Sequence, residues 1–200
     1  MEYKINKLSE LNEKQVEQAT DICVEGLYNV FSIISKDKNL LRDLFMDSFE
    51  YDMCYACLLG GEAVGFIGLG NSSKRAAGNM KYETFVRLLG KQRADMMYKG
   101  VSSGMAVPKV KFEDEVEIDY FATTPHLRGK GIGKQMILYI CDNLPYNSCV
   151  LDVYSKNPKA MKFYERLGFK QVSIKSEWVL RLRGIGKTIT MRLNTKEVKR

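Results

Sequence analysis

One histidine, an odd number of cysteines and no long apolar run set the first limits on this 200-residue chain. Nowhere do apolar residues approach the roughly eighteen to twenty that a helix needs to cross a bilayer. The opening Met1-Glu-Tyr-Lys-Ile-Asn-Lys lacks the apolar stretch of a secretory signal. A soluble, cytoplasmic protein without a membrane partner is therefore expected. The five cysteines sit mostly in apolar surroundings, which favours reduced core thiols over a disulfide framework. Cys54 and Cys57 form one C-x-x-C with no second pair, and on an extended strand they would point to opposite faces. With His126 the only imidazole, a zinc site lacks ligands, and no metal is expected. His126 itself, beside Pro125, reads as an exposed turn residue. No internal repeat or low-complexity tract occurs, and the length suits a single domain, 1–200, with one buried core.

The net charge of +7 is unevenly spread, with seven basic and two acidic residues between Lys74 and Lys99. A basic face of this kind suits an anionic acceptor or nucleic acid. Tyr82, Phe85, Val86 and Leu89, however, form an apolar stripe at helical spacing, so a solvated helix face is the simpler reading. No segment resembles a nucleic-acid motif.

Periodicity predicts a strand over residues 3–8, mainly helix over 13–35 and a further helix over 40–49. Residues 51–59 and 63–69 flank Gly60-Gly61 and read as a hairpin. The richest segment is Leu127-Arg-Gly-Lys-Gly-Ile-Gly-Lys134. An alternating run, Val116 to Phe121, precedes it, and Ile132, Met136, Ile137, Ile140 and Leu144 recur after it at helical spacing. A strand thus feeds a glycine loop that opens a helix. Such a loop can bring backbone amides close to a ligand, and the helix N-terminus carries partial positive charge, so the geometry invites a pyrophosphate.

The loop is neither a nucleotide P-loop, since Arg128 and Gln135 stand where Gly and Ser or Thr are needed, nor a G-x-G-x-x-G fingerprint. Arg181 to Gly186 repeats the Arg-x-x-Gly-x-Gly spacing, but a strand-like run, Thr188 to Leu193, follows it. A hairpin turn at Gly184 to Gly186 is expected there. Downstream of the loop helix, Cys149 to Val153 has the length of a buried strand. Asn157 at an N-cap, Pro158 at the first helical position and Gly168 past the end then bound a short helix.

Strand, Pro125-x-x-Arg128-x-x-Gly131-x-Gly133, helix, strand, Asn157-x-x-Ala160-x-x-Phe163-Tyr164-x-x-x-Gly168-Phe169 resembles the acyl-CoA-binding core of the Gcn5-related N-acetyltransferases. The likeness covers about residues 115–170. It implies an α/β fold with a mixed, mostly antiparallel sheet, in which two parallel core strands splay apart to admit the pantetheine arm of acetyl-CoA. Residues 71–113 depart from the family pattern as an inserted segment of about forty residues with at least one amphipathic helix. Gly100, Ser102, Ser103 and Gly104 suggest that it returns flexibly, as a lid would, while a buttress or a homodimer contact through the apolar stripe is the alternative.

The resemblance also implies roles. Backbone groups of Phe121 and Thr123 would bond the pantetheine arm, and Arg128, Gly129, Gly131, Gly133 and Lys134 would cradle the pyrophosphate. Tyr164 would protonate the departing thiolate. Glu117, eleven residues before Arg128, would be the general base, with Asp119 in reserve. Asn157 would bond the cofactor or cap its helix. The expected reaction is direct acetyl transfer to a primary amine, either a small molecule or a protein N-terminus. A non-catalytic acyl-CoA-binding module on the same fold is the competing reading.

Overall fold

The computed structural model describes residues 2–110, 112–176, 184 and 186–200. Among these residues seven strands form one sheet: β1 (Tyr3–Lys7), β2 (Cys54–Leu59), β3 (Glu62–Gly70), β4 (Glu115–Thr123), β5 (Ser148–Tyr154), β6 (Lys170–Lys175) and β7 (Thr188–Asn194), in the order β1-β2-β3-β4-β5-β7-β6. Every pairing is antiparallel except β4 with β5. β2 and β3 form the hairpin expected around Gly60 and Gly61. The expected turn at Gly184 to Gly186 lies partly outside the described residues.

Helices cover both faces. On one lie α1 (Glu13–Gly26), the single turn α2 (Tyr28–Phe31), α3 (Lys38–Ser48), α4 (Tyr82–Leu89) and α5 (Lys91–Met105). The predicted helix over 13–35 is broken at Leu27, which closes α1. Asn12 starts α1 with a reciprocal capping box to Gln15, and Asp37 caps α3 through the amides of Asn39 and Leu40. The core beneath this face is aromatic: Phe31, Phe45, Phe49 and Phe66 gather around Tyr120 of β4. The other face carries α6 (Ile132–Asn143) and α7 (Pro158–Leu167), with Met136, Ile137 and Ile140 buried against Val116, Ile118 and Leu151. Cys54 packs in the first core and Cys57 in the second, the opposite facing expected of their spacing. All five cysteines are free thiols.

The insertion holds two helices, and its returning end differs from expectation. Gly100 to Gly104 lie inside α5 rather than in a loose segment. Phe85 is fully buried, and Tyr82, Val86 and Leu89 pack beside it on the aromatic core. The apolar stripe is therefore spent largely on the body of the chain. Much of the local positive charge is likewise committed: Arg87 pairs with Asp47, Lys91 with Asp95, Lys74 with Glu50, and Arg93 donates to the Ile34 carbonyl.

Two irregularities in β4 open the sheet and redirect its side chains. The ladder of β4 with β5 begins at Glu115 opposite Ser148 and ends at Ile118 opposite Leu151, although both strands continue. The strands therefore part beyond that point. Against β3, Ile118 pairs with Leu69 and Tyr120 with Gly68, which leaves Asp119 without an opposite residue. This bulge reverses the alternation of faces. Phe121 consequently joins Phe163 and Tyr164 on the α7 side, whereas Tyr120 enters the aromatic core behind it.

Candidate active site

Where β4 and β5 part, a cavity of about 680 Å³ opens. Phe121, Thr123, Arg128, Gly129, Gly131, Gly133, Lys134, Asn157 and Tyr164 all line it. The loop between β4 and α6 makes its cationic end. Pro125 to Leu127 form one tight turn, and Gly129 and Gly131 then adopt φ of 82° and 84°, a left-handed conformation that costs other residues energy. Gly131 is the N-cap of α6 and has no side chain to offer, so the first-turn amides of a twelve-residue helix remain available to a ligand. Gly133 is needed for a different reason. A Cβ there would stand 3.1 Å from Phe163 Cζ and 3.2 Å from Phe121 Cζ, so its absence lets the aromatic wall close on the helix.

The opposite wall comes from α7. Asn157 caps this helix, its side-chain oxygen accepting from the Ala160 amide at 3.2 Å, so capping is the role the structure records. Phe163 lies against Phe121 with centroids 6.0 Å apart, and Tyr164 meets Phe163 edge-on at 5.2 Å. Burial pushes the Tyr164 hydroxyl pKa well up, so it keeps its proton at neutral pH. Lys159, Arg166 and Lys199 add to Arg128 and Lys134, Arg200 also lines the cavity while paired with Asp142, and among the described residues no carboxylate side chain lines it. Sequence reasoning did not single out these four. Lys159 and Arg166 stand seven residues apart on α7 and so share a face, a signal open to inspection. Lys199 and Arg200 arrive only through the fold.

Glu117 and Asp119 are not among the lining residues. Glu117 is 6% exposed, and its carboxyl pKa is raised, first by burial and next by the Asp119 charge, against the lowering influence of Lys109 and Arg75. Lys109 Nζ lies 3.3 Å from Glu117 Oε1, while the buried Oε2 has no hydrogen-bond partner among the described residues. Asp119 is differently placed. Its side chain is 0% exposed, and Arg75 Nε donates to both its oxygens, at 2.9 and 3.0 Å. Both partners of Glu117 and Asp119 come from the insertion, Arg75 near its start and Lys109 near its end, which sequence alone could not pair. Among the described residues, no group of histidines, cysteines and carboxylates could hold a metal ion, and no helix is long and apolar enough to cross a membrane.

Comparison with known proteins gives a consistent result. The profile of the Acetyltransferase (GNAT) family matches residues 24–169, well over half of the chain. A glucosamine 6-phosphate N-acetyltransferase of Trypanosoma brucei brucei is 29% identical over 84 residues, 42% of this chain and 52% of that protein. The chain thus spans about half the length of this curated relative. Among solved structures, the ribosomal-protein-S18-alanine N-acetyltransferase of Escherichia coli matches with a TM-score of 0.58 and 15% identity, over 97% of this chain and 94% of that one. A Bacillus subtilis acetyltransferase in complex with CoA matches with a TM-score of 0.57 and 18% identity, over 96% and 99%. At these identities the solved structures show a shared fold.

Proposed function

This chain belongs to the GNAT family of acetyltransferases, and from that membership we propose that it is an N-acetyltransferase moving an acetyl group from acetyl-CoA directly to a primary amine. The observation that carries the reading is the cavity between the parted strands, which joins an uncapped helix N-terminus and an all-cationic rim to an aromatic wall bearing a buried phenol. A pyrophosphate suits the first, and a thin polar chain suits the groove along the unpaired edge of β4.

In this reading Arg128, Lys134 and the amides that follow Gly131 hold the diphosphate. The β4 backbone from Phe121 to Thr123 bonds the pantetheine arm, and Asn157, its carbonyl oxygen committed to the cap, offers its amide nitrogen. A backbone amide of the same strand polarises the thioester carbonyl. Glu117 takes the proton from the incoming ammonium, directly or through water, and its raised pKa brings it nearer the working pH of a base. Asp119, enclosed and bound through both oxygens, is the structural member of the pair rather than the base. Tyr164 hydrogen-bonds the departing sulfur and resupplies its proton.

The test is release of free thiol from acetyl-CoA by the purified protein against a panel of amines. The panel should include glucosamine 6-phosphate and a peptide with N-terminal alanine, the acceptors named in the relatives. Turnover with at least one amine, abolished in Glu117→Gln, is expected. Tight CoA binding with no turnover across the panel would instead make this a non-catalytic module, and failure to bind CoA would refute the site itself.

A further inference from the structure

The insertion delivers a primary amine of this same chain to the proposed base. Lys109 Nζ, 3.3 Å from Glu117 Oε1, is the hydrogen-bond partner of a carboxylate whose other oxygen is buried with none among the described residues. The segment carrying it is firmly anchored. Arg75, 4% exposed, binds Asp119 through its Nε, and its Nη1 donates to the carbonyls of Gly104 at 2.8 Å and Val107 at 3.4 Å. One guanidinium therefore clamps the end of α5 and the turn after it onto β4, two residues from Glu117. Lys109 follows Val107 by two residues, yet its side chain is 51% exposed. Its side chain can swing while the turn two residues before it is held.

We propose that Lys109 is an internal acceptor, so that the protein acetylates this lysine in cis. The proposal rests on the N-acetyltransferase reading above. Glu117 accepts one proton from the Lys109 ammonium, and the freed Nζ lone pair forms a C–N bond to the thioester carbonyl carbon. The C–S bond breaks as a second proton leaves the nitrogen. The products are Nζ-acetyl-lysine, CoA thiol carrying one of the two protons, and one proton released to solvent. An acetylated Lys109 no longer carries the charge that pairs with Glu117.

The experiment incubates the whole protein with acetyl-CoA and no amine, then follows each lysine peptide by mass spectrometry over time and over a range of protein concentrations. Lys81 and Lys91, in the same insertion, serve as comparators, since Lys91 pairs with the exposed Asp95 rather than with a buried carboxylate. Lys109 should gain one acetyl group at least about tenfold faster than either, at a rate independent of protein concentration. Glu117→Gln should slow this by about a hundredfold, within the range of general base catalysis. A preparation that releases thiol with external amines but acetylates Lys109 no faster than Lys81 overturns the inference and leaves the function standing. Acetylation whose rate scales with protein concentration also overturns it, because the transfer is then between molecules. Loss of both activities in a folded protein that binds CoA overturns both proposals.

Discussion

Arg75, enclosed against Asp119, is a residue whose replacement should cost much of the chain's stability. Replacing it with Met keeps much of the stem volume and removes the charge, leaving the carboxylate of Asp119 enclosed at 0% exposure with no cation. Breaking a buried pair in this way costs about 3–5 kcal/mol. The bonds to the Gly104 and Val107 carbonyls add little, because one carbonyl ends α5, the other lies in the turn just past it, and both can turn to water. For a chain of this size each kcal/mol lowers the midpoint by about 2–4 °C, so a fall of about 6–20 °C is expected. Against a total stability of about 5–15 kcal/mol the variant still folds at low temperature. Urea denaturation gives the free energy and the slope, and the slope should not change. In a double-mutant cycle with Asp119→Asn, the two losses should fall short of additivity by about 2 kcal/mol. CoA affinity should stay within about twofold, because Arg75 does not line the cofactor cavity. A midpoint shift below about 2 °C, or full additivity in the cycle, would refute the clamp.

Three further outcomes are expected. Tyr164→Phe should lower kcat about ten- to a thousandfold with CoA affinity retained by calorimetry, and wild-type turnover would assign the residue to packing alone. Gly133→Val should weaken CoA binding more than about tenfold in a folded variant, because Phe163 and Phe121 must move from positions 3.1 and 3.2 Å from the new Cβ. The acidic limb of the kcat/KM profile should lie above the ordinary carboxylate value of 4.5, since the base works deprotonated and burial raises Glu117. Lys109→Met should move that limb further up, because the lysine is one of the charges holding the pKa down; a downward shift would contradict the assignment.

What could be read along the chain is whatever consecutive residues form by themselves. The loop from Arg128 to Lys134 and the helix it opens need no distant partner, nor does the cap of α7 at Asn157, and both lie where local signals put them. The misreading of Gly100 to Gly104 has a physical cause. Glycine and serine have weak intrinsic helix preference, but Ala94, Met97, Tyr98 and Val101 pack on the core, so tertiary contacts carry α5 through them. At Gly131 the structure adds a demand that the sequence does not show, a left-handed backbone.

By itself the sequence determined much of the order of elements, the glycine loop set between a strand and a helix, and hence the family. Those features depend on hydrogen bonds and periodicities spanning a few residues. Only the tertiary structure decided the chemistry available to the two carboxylates of β4. Glu117 and Asp119 are two residues apart on one strand, yet one meets a half-exposed ammonium and the other a buried guanidinium. Those cations lie eight and forty-four residues away from the carboxylates they meet, and a bulge that no local signal announced sets which way each neighbour points. Ionisable groups take their character from what burial removes and what charge it brings near, and both are properties of the packed chain.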